Sequence, residues 1–143
     1  MRPAKSTDPD DRANDSSDRV CGPGVDRWRG IDHVQLAIPP GGEDDARSFY
    51  VGVLGLSEIP KPAALAVRGG AWFESGAVQI HVGVEQEFVP ARKAHPALLV
   101  AGLRDLVAAA GLDVRWSDEI PGVERCHVDD PFGNRIELIE AGP

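Results

Sequence analysis

One order of secondary-structure elements is predicted twice along this chain of 143 residues. Residues 30–84 predict the order β-α-β-β-β, and residues 95–140 predict the same order after a polar linker at residues 85–94. An internal repeat of this kind predicts two copies of one structural module that share a core. The chain is therefore predicted to be an α+β protein with one domain over residues 30–140.

The individual elements follow from hydrophobic periodicity and from the glycines and prolines that interrupt it. Acidic residues at the start and Gly55 near the end bound the first predicted helix, and Gly111 ends the second. The predicted helices cover residues 41–56 and 102–112, and the predicted strands cover residues 31–39, 63–70, 71–76, 77–85, 95–101, 113–117, 123–128 and 134–140.

Residues 1–28 differ in composition from the rest of the chain. They are rich in Asp, Ser, Pro and Arg and contain almost no large apolar side chains, which predicts a disordered leader. The leader lacks the apolar segment of a secretory signal, and this favours a cytoplasmic location. Residues 1–30 are neutral overall, so the formal charge of −8 lies on residues 31–143 and argues against a nucleic acid partner. No apolar run is long enough to cross a membrane, so no membrane partner is predicted.

Three histidines and one glutamate occupy matching places in the two modules. His33 lies on the first strand of the first module, and His95 opens the first strand of the second. His81 and Glu137 lie on the last strands of their modules. Apolar residues on both faces of the last strand predict that Glu137 is covered, and a buried carboxylate is costly unless it is paired or bound to a metal. If the modules pack about a pseudo-twofold axis, the four side chains can converge on one point.

A divalent metal ion is the partner that this set of side chains predicts for Glu137. Nitrogen ligands with one carboxylate suit Fe²⁺, Ni²⁺, Co²⁺, Zn²⁺ or Mn²⁺ rather than Ca²⁺. Four ligands on an octahedral metal ion would leave two positions for water or for a bidentate substrate. Proton transfer beside a carbonyl group would need a base, and a metal-bound water or a displaced Glu137 is the candidate for this catalytic role.

Several segments of the chain resemble the vicinal oxygen chelate superfamily, which includes glyoxalase I, bleomycin-resistance proteins, fosfomycin-resistance transferases, methylmalonyl-CoA epimerase and extradiol dioxygenases. The segments are DHVQLAI, SFYVGVLGL, AWFESGAVQIHV, HPALLV and DDPFGNRIELIE. The resemblance implies paired β-α-β-β-β modules that form a curved mixed sheet around a metal cavity. By position in these motifs, His33, His95 and Glu137 match the usual metal ligands. His81 stands where relatives carry Glu or Gln.

The resemblance implies a metal-dependent enzyme that acts on a small substrate with vicinal oxygens, with isomerase, lyase or epimerase chemistry. A ring-cleaving dioxygenase is one alternative, because His33, His95 and Glu137 also form a 2-His-1-carboxylate set. A non-catalytic drug- or metabolite-binding protein of the bleomycin-resistance type is another. Ala37 stands where glutathione-type glyoxalase I carries an arginine, which argues against glutathione conjugates. The modules can pair within one chain or across a homodimer.

Three further residues are candidate contacts for the substrate. Gln35 shares a strand face with His33, and Arg135 shares a face with Glu137, because side chains alternate along a strand. His127, on the strand before Glu137, is the third candidate.

The position of His127 depends on the register of the last two strands. If Asp129 pairs with Asn134, Cys126 lies opposite Glu137 and His127 lies on the other face. A shift of one residue places His127 beside Glu137 and inside the predicted cavity. The sequence leaves both registers open.

Overall fold

The computed structural model describes residues 27–143, so the predicted leader lies outside the described residues apart from its last two positions. None of the helices in this range has the length and apolar character needed to cross a membrane. Ile31–Pro143 form one compact unit. Its elements, in chain order, are β1 (Val34–Ile38), α1 (Glu43–Tyr50), β2 (Ser57–Ile59), α2 (Ala63–Ala66), β3 (Ala71–Ser75), β4 (Val78–Val84), β5 (Ala97–Val100), α3 (Leu103–Ala110), β6 (Arg115–Ser117), β7 (Arg125–Asp129) and β8 (Arg135–Glu140).

The strands form two four-stranded mixed sheets with the same topology. The first sheet has the strand order β1-β4-β3-β2, and the second has the order β5-β8-β7-β6. In each sheet the first strand of the module runs parallel to the last strand. The other neighbours are antiparallel. The predicted α+β fold of two β-α-β-β-β modules is therefore confirmed, with α1 and α3 as the matching helices.

The predicted strand over residues 63–70 is wrong, because this segment begins with the short helix α2. Pro62 precedes the helix with a φ of −53°, a value that its ring imposes and that suits the start of a helix. Three of the four helical residues are alanine, the strongest helix former. The edge strand of the first sheet is Ser57–Ile59, which pairs with β3. An apolar run this short does not separate a strand from a helix by periodicity alone.

Buried side chains from both modules form one hydrophobic cluster. Because side chains alternate along a strand, His81 on β4 and Glu137 on β8 lie on the faces opposite to this cluster. The alternation predicted for both strands therefore matches the observed burial. The cluster consists of Leu36, Ile38, Ala46, Phe49, Tyr50, Leu56, Ala71, Phe73, Ile80, Val82, Leu103, Cys126, Val128, Ile136 and Leu138.

A buried hydrogen-bond network joins the two modules. The hydroxyl group of Tyr50, at the end of α1, donates to Asp130 Oδ2 over 2.8 Å. The side-chain amide of Asn134 donates to the same carboxylate oxygen over 2.9 Å and to the carbonyl oxygen of Ala37 over 2.8 Å. Its oxygen accepts from the N–H of Ala91 over 2.9 Å. These side chains belong to the motifs SFYVGVLGL and DDPFGNRIELIE, so part of the recognisable sequence pattern serves to connect the modules.

The first strands of the two modules also approach each other within the single chain. Residues 31–33, which lead into β1, and Val34, its first residue, line a pocket together with Ala97 and Leu98 of β5. Ala97 is paired with Glu137 in the second sheet. The strand that follows His33 therefore lies close to the sheet that carries Glu137.

Candidate metal centre

The register of β7 and β8 places His127 directly opposite Glu137. Of the two registers that the sequence allows, the structure has the one in which Cys126 pairs with Leu138. Both of these side chains are buried in the hydrophobic cluster. Their burial turns His127 and Glu137 to the opposite face of the sheet, where the two polar side chains meet.

His95, His127 and Glu137 form a group of potential metal ligands. His95 Nε2 lies 3.1 Å from Glu137 Oε2, and His127 Nε2 lies 3.9 Å from the same oxygen. Within residues 27–143, this is the only group of three or more His, Cys, Asp or Glu side chains whose ligand atoms lie within 4.8 Å of one another. Two donors that each lie about 2.1 Å from a metal ion are about 3 Å apart when they are at right angles. The distance of 3.1 Å between His95 Nε2 and Glu137 Oε2 is close to this value.

The hydrogen-bond partners of His95 indicate that a positively charged group belongs between it and Glu137. His95 Nδ1 lies 2.9 Å from the carbonyl oxygen of Lys93, which can only accept, so Nδ1 carries the hydrogen. In a neutral imidazole Nε2 then has a lone pair, and it faces a carboxylate oxygen that also only accepts. A proton or a metal ion between the two atoms resolves this arrangement. A hydrogen bond from Nδ1 to a backbone carbonyl is also the usual support of a metal-binding histidine.

Arg125 is a further residue of this candidate site that sequence reasoning missed. Its Nη1 donates to Glu137 Oε1 over 2.8 Å, so the two oxygens of Glu137 have different partners. Its side chain is 11 % exposed and that of Glu137 is 12 % exposed, so this ion pair is largely buried. The signal was present in the sequence, because Arg125 and His127 are two residues apart on one strand and must share a face. Only the register showed that this face is that of Glu137.

The charge state of Glu137 suits a metal ligand. The hydrogen bond from Arg125 is the main cause that lowers the pKa of Glu137 below its ordinary value of 4.5, and the hydrogen bond with His95 acts in the same direction. Burial opposes both effects without reversing them. The carboxyl group is therefore ionised at neutral pH, which metal coordination requires.

His33, immediately before β1, and His81 on β4 form a stacked pair. Their ring centroids are 3.9 Å apart with an angle of 14° between the planes, and Trp72 stacks on His81 at 4.2 Å. His33 Nδ1 is 2.8 Å from Asp32 Oδ1. The four predicted ligands therefore do not form one group in this structure. His95 and Glu137 meet, while the ligand roles of His33 and His81 stay predictions.

Gln35 and Arg135 occupy the predicted faces of their strands. Gln35 is exposed on β1 and lies over Gly83, where a Cβ atom would be 2.6 Å from its Nε2, so this glycine leaves room for the amide. Arg135 lies opposite Asp129, but that carboxylate binds Arg115 over 2.8 Å instead. Within the described residues, Arg135 Nε is buried without a hydrogen-bond partner. The substrate-binding roles of both residues stay predictions.

The free energy of unfolding is expected to decrease as the pH falls from about 7.5 to about 5.5. Burial is the main cause that lowers the pKa of His81 below its ordinary value of 6.5, and the charge of His33 adds to it. Burial also lowers the pKa of His127, against the opposing effect of Glu137. Below pH 6.5 the unfolded chain therefore binds more protons than the folded chain, and acidification favours unfolding. Urea unfolding at both pH values, with a chelator present, checks this.

The variant His81→Gln provides the control for this pH dependence. It removes one of the two histidines whose pKa the fold lowers. Its free energy of unfolding should therefore change less between the two pH values than that of the wild type. A wild-type stability that stays constant or increases on acidification would contradict the expectation.

The chain is similar to several solved structures. A glyoxalase family protein from Bacillus anthracis is 47% identical, with 80% of this chain and 97% of that chain covered and a TM-score of 0.76. Lactoylglutathione lyase from Agrobacterium tumefaciens is 16% identical (80% and 96% covered, TM-score 0.60). A glyoxalase/dioxygenase from Nostoc punctiforme is 20% identical (87% and 97% covered, TM-score 0.64). No protein-family model and no curated protein sequence matches the chain.

The similarity to the Bacillus anthracis protein shows the family. Identity of 47% over nearly the whole of that chain, together with the repeated module, means that this protein belongs to the glyoxalase family of the vicinal oxygen chelate superfamily. The more distant structures share the fold. The resemblance inferred from the sequence motifs is thus confirmed.

Proposed function

We propose that this protein is a metal-dependent enzyme that acts on a small substrate with vicinal oxygens, in the lyase, isomerase or epimerase class. One observation carries the proposal: His95 Nδ1 lies 2.9 Å from a backbone carbonyl oxygen, and Nε2 of the same ring faces a carboxylate oxygen of Glu137 over 3.1 Å. A divalent cation satisfies both lone pairs at a distance typical of ligands that share one metal ion. Membership of the glyoxalase family supports this class of reaction.

Each residue of the centre has a distinct role in this proposal. His95, His127 and Glu137 would hold Fe²⁺, Ni²⁺, Co²⁺, Zn²⁺ or Mn²⁺, ions that suit imidazole with carboxylate. The ion, when bound, supplies a Lewis acid that stabilises developing negative charge on a substrate oxygen. Glu137 is ionised and can also accept a proton from a carbon beside a carbonyl group. Arg125 keeps one carboxylate oxygen directed away from the two imidazoles.

The biological setting of this enzyme is proposed from the sequence. The functional domain covers residues 30–140, preceded by the leader of residues 1–28, with the modules 30–84 and 95–140 joined by the linker 85–94. The proposed partner is a small-molecule substrate, and the proposed location is the cytoplasm. A homodimer is compatible with the exposed edges of both sheets. Measurement of the molar mass in solution, with and without metal, tests the dimer.

A ring-cleaving dioxygenase is the second candidate function. The group His95, His127 and Glu137 contains two histidines and one carboxylate, the ligand set of many non-haem Fe²⁺ oxygenases. The non-catalytic binder is the third. In that case the guanidinium of Arg125 and the imidazole of His95 are the partners of Glu137, and no metal is needed.

Metal analysis followed by a substrate screen tests the proposal. The full chain, purified without added metal or chelator, is expected to contain a divalent transition metal in near-stoichiometric amount. Turnover is then measured with three kinds of substrate: conjugates of methylglyoxal, epimeric acyl-CoA thioesters and catechols. Activity with one of them assigns the enzyme to the lyase, epimerase or dioxygenase class, respectively. Protein that contains no metal and binds none of the five ions at micromolar concentration would favour the binder.

The variants His127→Ala and His33→Ala separate the two possible ligand sets. His127 lies within the group around Glu137, whereas His33 is stacked on His81. We therefore expect His127→Ala to weaken metal binding about 10-fold or more, and His33→Ala to weaken it less. Metal affinity measured by competition with a chromogenic chelator gives the answer. A larger loss in His33→Ala would show that the first sheet supplies a principal ligand, as the sequence motifs predict.

A further inference from the structure

Arg125 has hydrogen-bond donors that do not contact Glu137. Its side chain is largely buried at 11 % exposure, and only Nη1 contacts Glu137. Nη2 donates to Glu119 Oε2 over 3.0 Å. Within residues 27–143, Arg125 Nε is buried without a hydrogen-bond partner. The edge of the guanidinium formed by Nε and Nη2, which can hold both oxygens of a carboxylate, therefore carries a single contact.

The carboxylate that occupies this edge is exposed and replaceable. Glu119 lies in the loop between β6 and β7, and its side chain is 80 % exposed. Its Oε2 accepts from Arg125 and also lies 3.3 Å from the hydroxyl group of Ser117. An ion pair whose carboxylate is exposed is a weak competitor, because water solvates the free carboxylate well and the pairing costs its side chain conformational freedom. A small anion can therefore compete with Glu119 for these two donors.

An open cleft of about 620 Å³ lies against Arg125, so an anion in this cleft can reach the guanidinium once Glu119 is displaced. Arg125, Ser117 and Trp116 line the cleft, together with residues 120–124 of the loop. Its volume exceeds that of a small organic acid. On the other side of the guanidinium, Nη1 reaches the carboxylate of Glu137.

We propose that Arg125 and Ser117 form a subsite for the carboxylate group of a small molecule, and that Glu119 occupies this subsite as an internal competitor. The ligand carboxylate displaces Glu119 and takes up Nη2 and Nε of Arg125 as a bidentate pair. Binding of the carboxylate does not depend on a metal. The identification of the substrate as a 2-hydroxy or 2-oxo acid, with its second oxygen toward Glu137, rests on the proposed function.

Glycolate is the probe for this subsite, and neutral glycolamide is its matched control. The full-length chain is titrated with each compound in the presence of EDTA, so that no metal contributes. The Nε–H resonance of Arg125 is followed by NMR. Glycolate is expected to shift this resonance in a saturable way, whereas glycolamide is expected to leave it unchanged.

The variants Glu119→Ala and Asp118→Ala test whether the ligand carboxylate displaces Glu119. Glu119→Ala removes the internal competitor and should bind glycolate about two- to five-fold more tightly, the factor that corresponds to one exposed ion pair. Asp118 also lines the cleft, but among the described residues it has no ion pair with Arg125, so Asp118→Ala removes the same charge without removing the competitor and should change the affinity less.

Three results would overturn the proposal: no shift of the Arg125 resonance, equal binding of glycolamide, or equal gains in the two variants. Because the titrations contain EDTA, failure here leaves the metal predictions untouched.

Discussion

Glu137→Gln and His95→Ala are each expected to lower metal affinity more than about 100-fold, because loss of an outer partner alone costs about 10- to 100-fold. Each change removes one of the two donor atoms that face each other over 3.1 Å. The amide of Gln is uncharged and cannot replace the anionic ligand. Metal content after dialysis, with a competition titration, measures the effect.

Asp129→Asn is the matched control for Glu137→Gln. Asp129 lies on β7, two residues from His127 and on the same face, but it pairs with Arg115 outside the proposed centre. Metal content should be unchanged in this variant. Equal metal content in the wild type and in Glu137→Gln would contradict the metal centre.

Stability alone would not decide the question at Glu137. The Glu137→Gln change leaves the largely buried guanidinium of Arg125 with only Glu119 as a charged partner. A loss of stability is therefore expected whether or not a metal binds. Metal affinity is the measurement that separates the two cases.

Asn134→Ala is expected to lower the free energy of unfolding by about 3 kcal/mol, which corresponds to roughly 10 °C in melting temperature. Asn134 is fully buried. Its side chain bonds to the carbonyl oxygen of Ala37 in the first module, to the N–H of Ala91 in the linker and to Asp130. Alanine leaves those groups without this partner in a buried place. Thermal unfolding followed by circular dichroism measures the change.

Tyr50→Phe serves as the graded control for this network. It removes only the hydroxyl group that donates to Asp130, and the carboxylate keeps the bonds from Asn134 and from the N–H of Phe132. A smaller loss of about 1–2 kcal/mol is expected. If Asn134→Ala were as stable as the wild type, the network would not hold the modules together.

The predictions for Glu137 and for Asn134 show that the family motif at the end of the chain has two separate roles. Asp130 and Asn134 of DDPFGNRIELIE hold the modules together, while Glu137 of the same segment faces the imidazoles. A protein can therefore keep the recognisable motif for the sake of its fold and differ in chemistry. For this reason the family assignment supports the fold more firmly than it supports any one reaction.

Local periodicity was sufficient to predict the strand faces of His81 and Glu137, but not whether His127 shares the face of Glu137. The repeated module, the faces of His81 and Glu137, and the end of α3 at Gly111 follow from apolar spacing and glycine positions, whereas α1 ends at Tyr50, before the predicted end near Gly55. These features depend on residues close together in sequence, so each segment carries its own signal. The short helix α2 was missed because four residues are too few to show a period.

The partners of those residues were decided by the tertiary structure. The register of β7 on β8 brought His127 to Glu137 and added Arg125, and the sequence allowed another register. The burial of Cys126 and Leu138 selects the observed one. The grouping of His95 with Glu137, 42 residues apart, depends on the pairing of β5 with β8. Alternation along a strand specifies a face, whereas register and side-chain direction depend on the packing of whole sheets, which no single segment encodes.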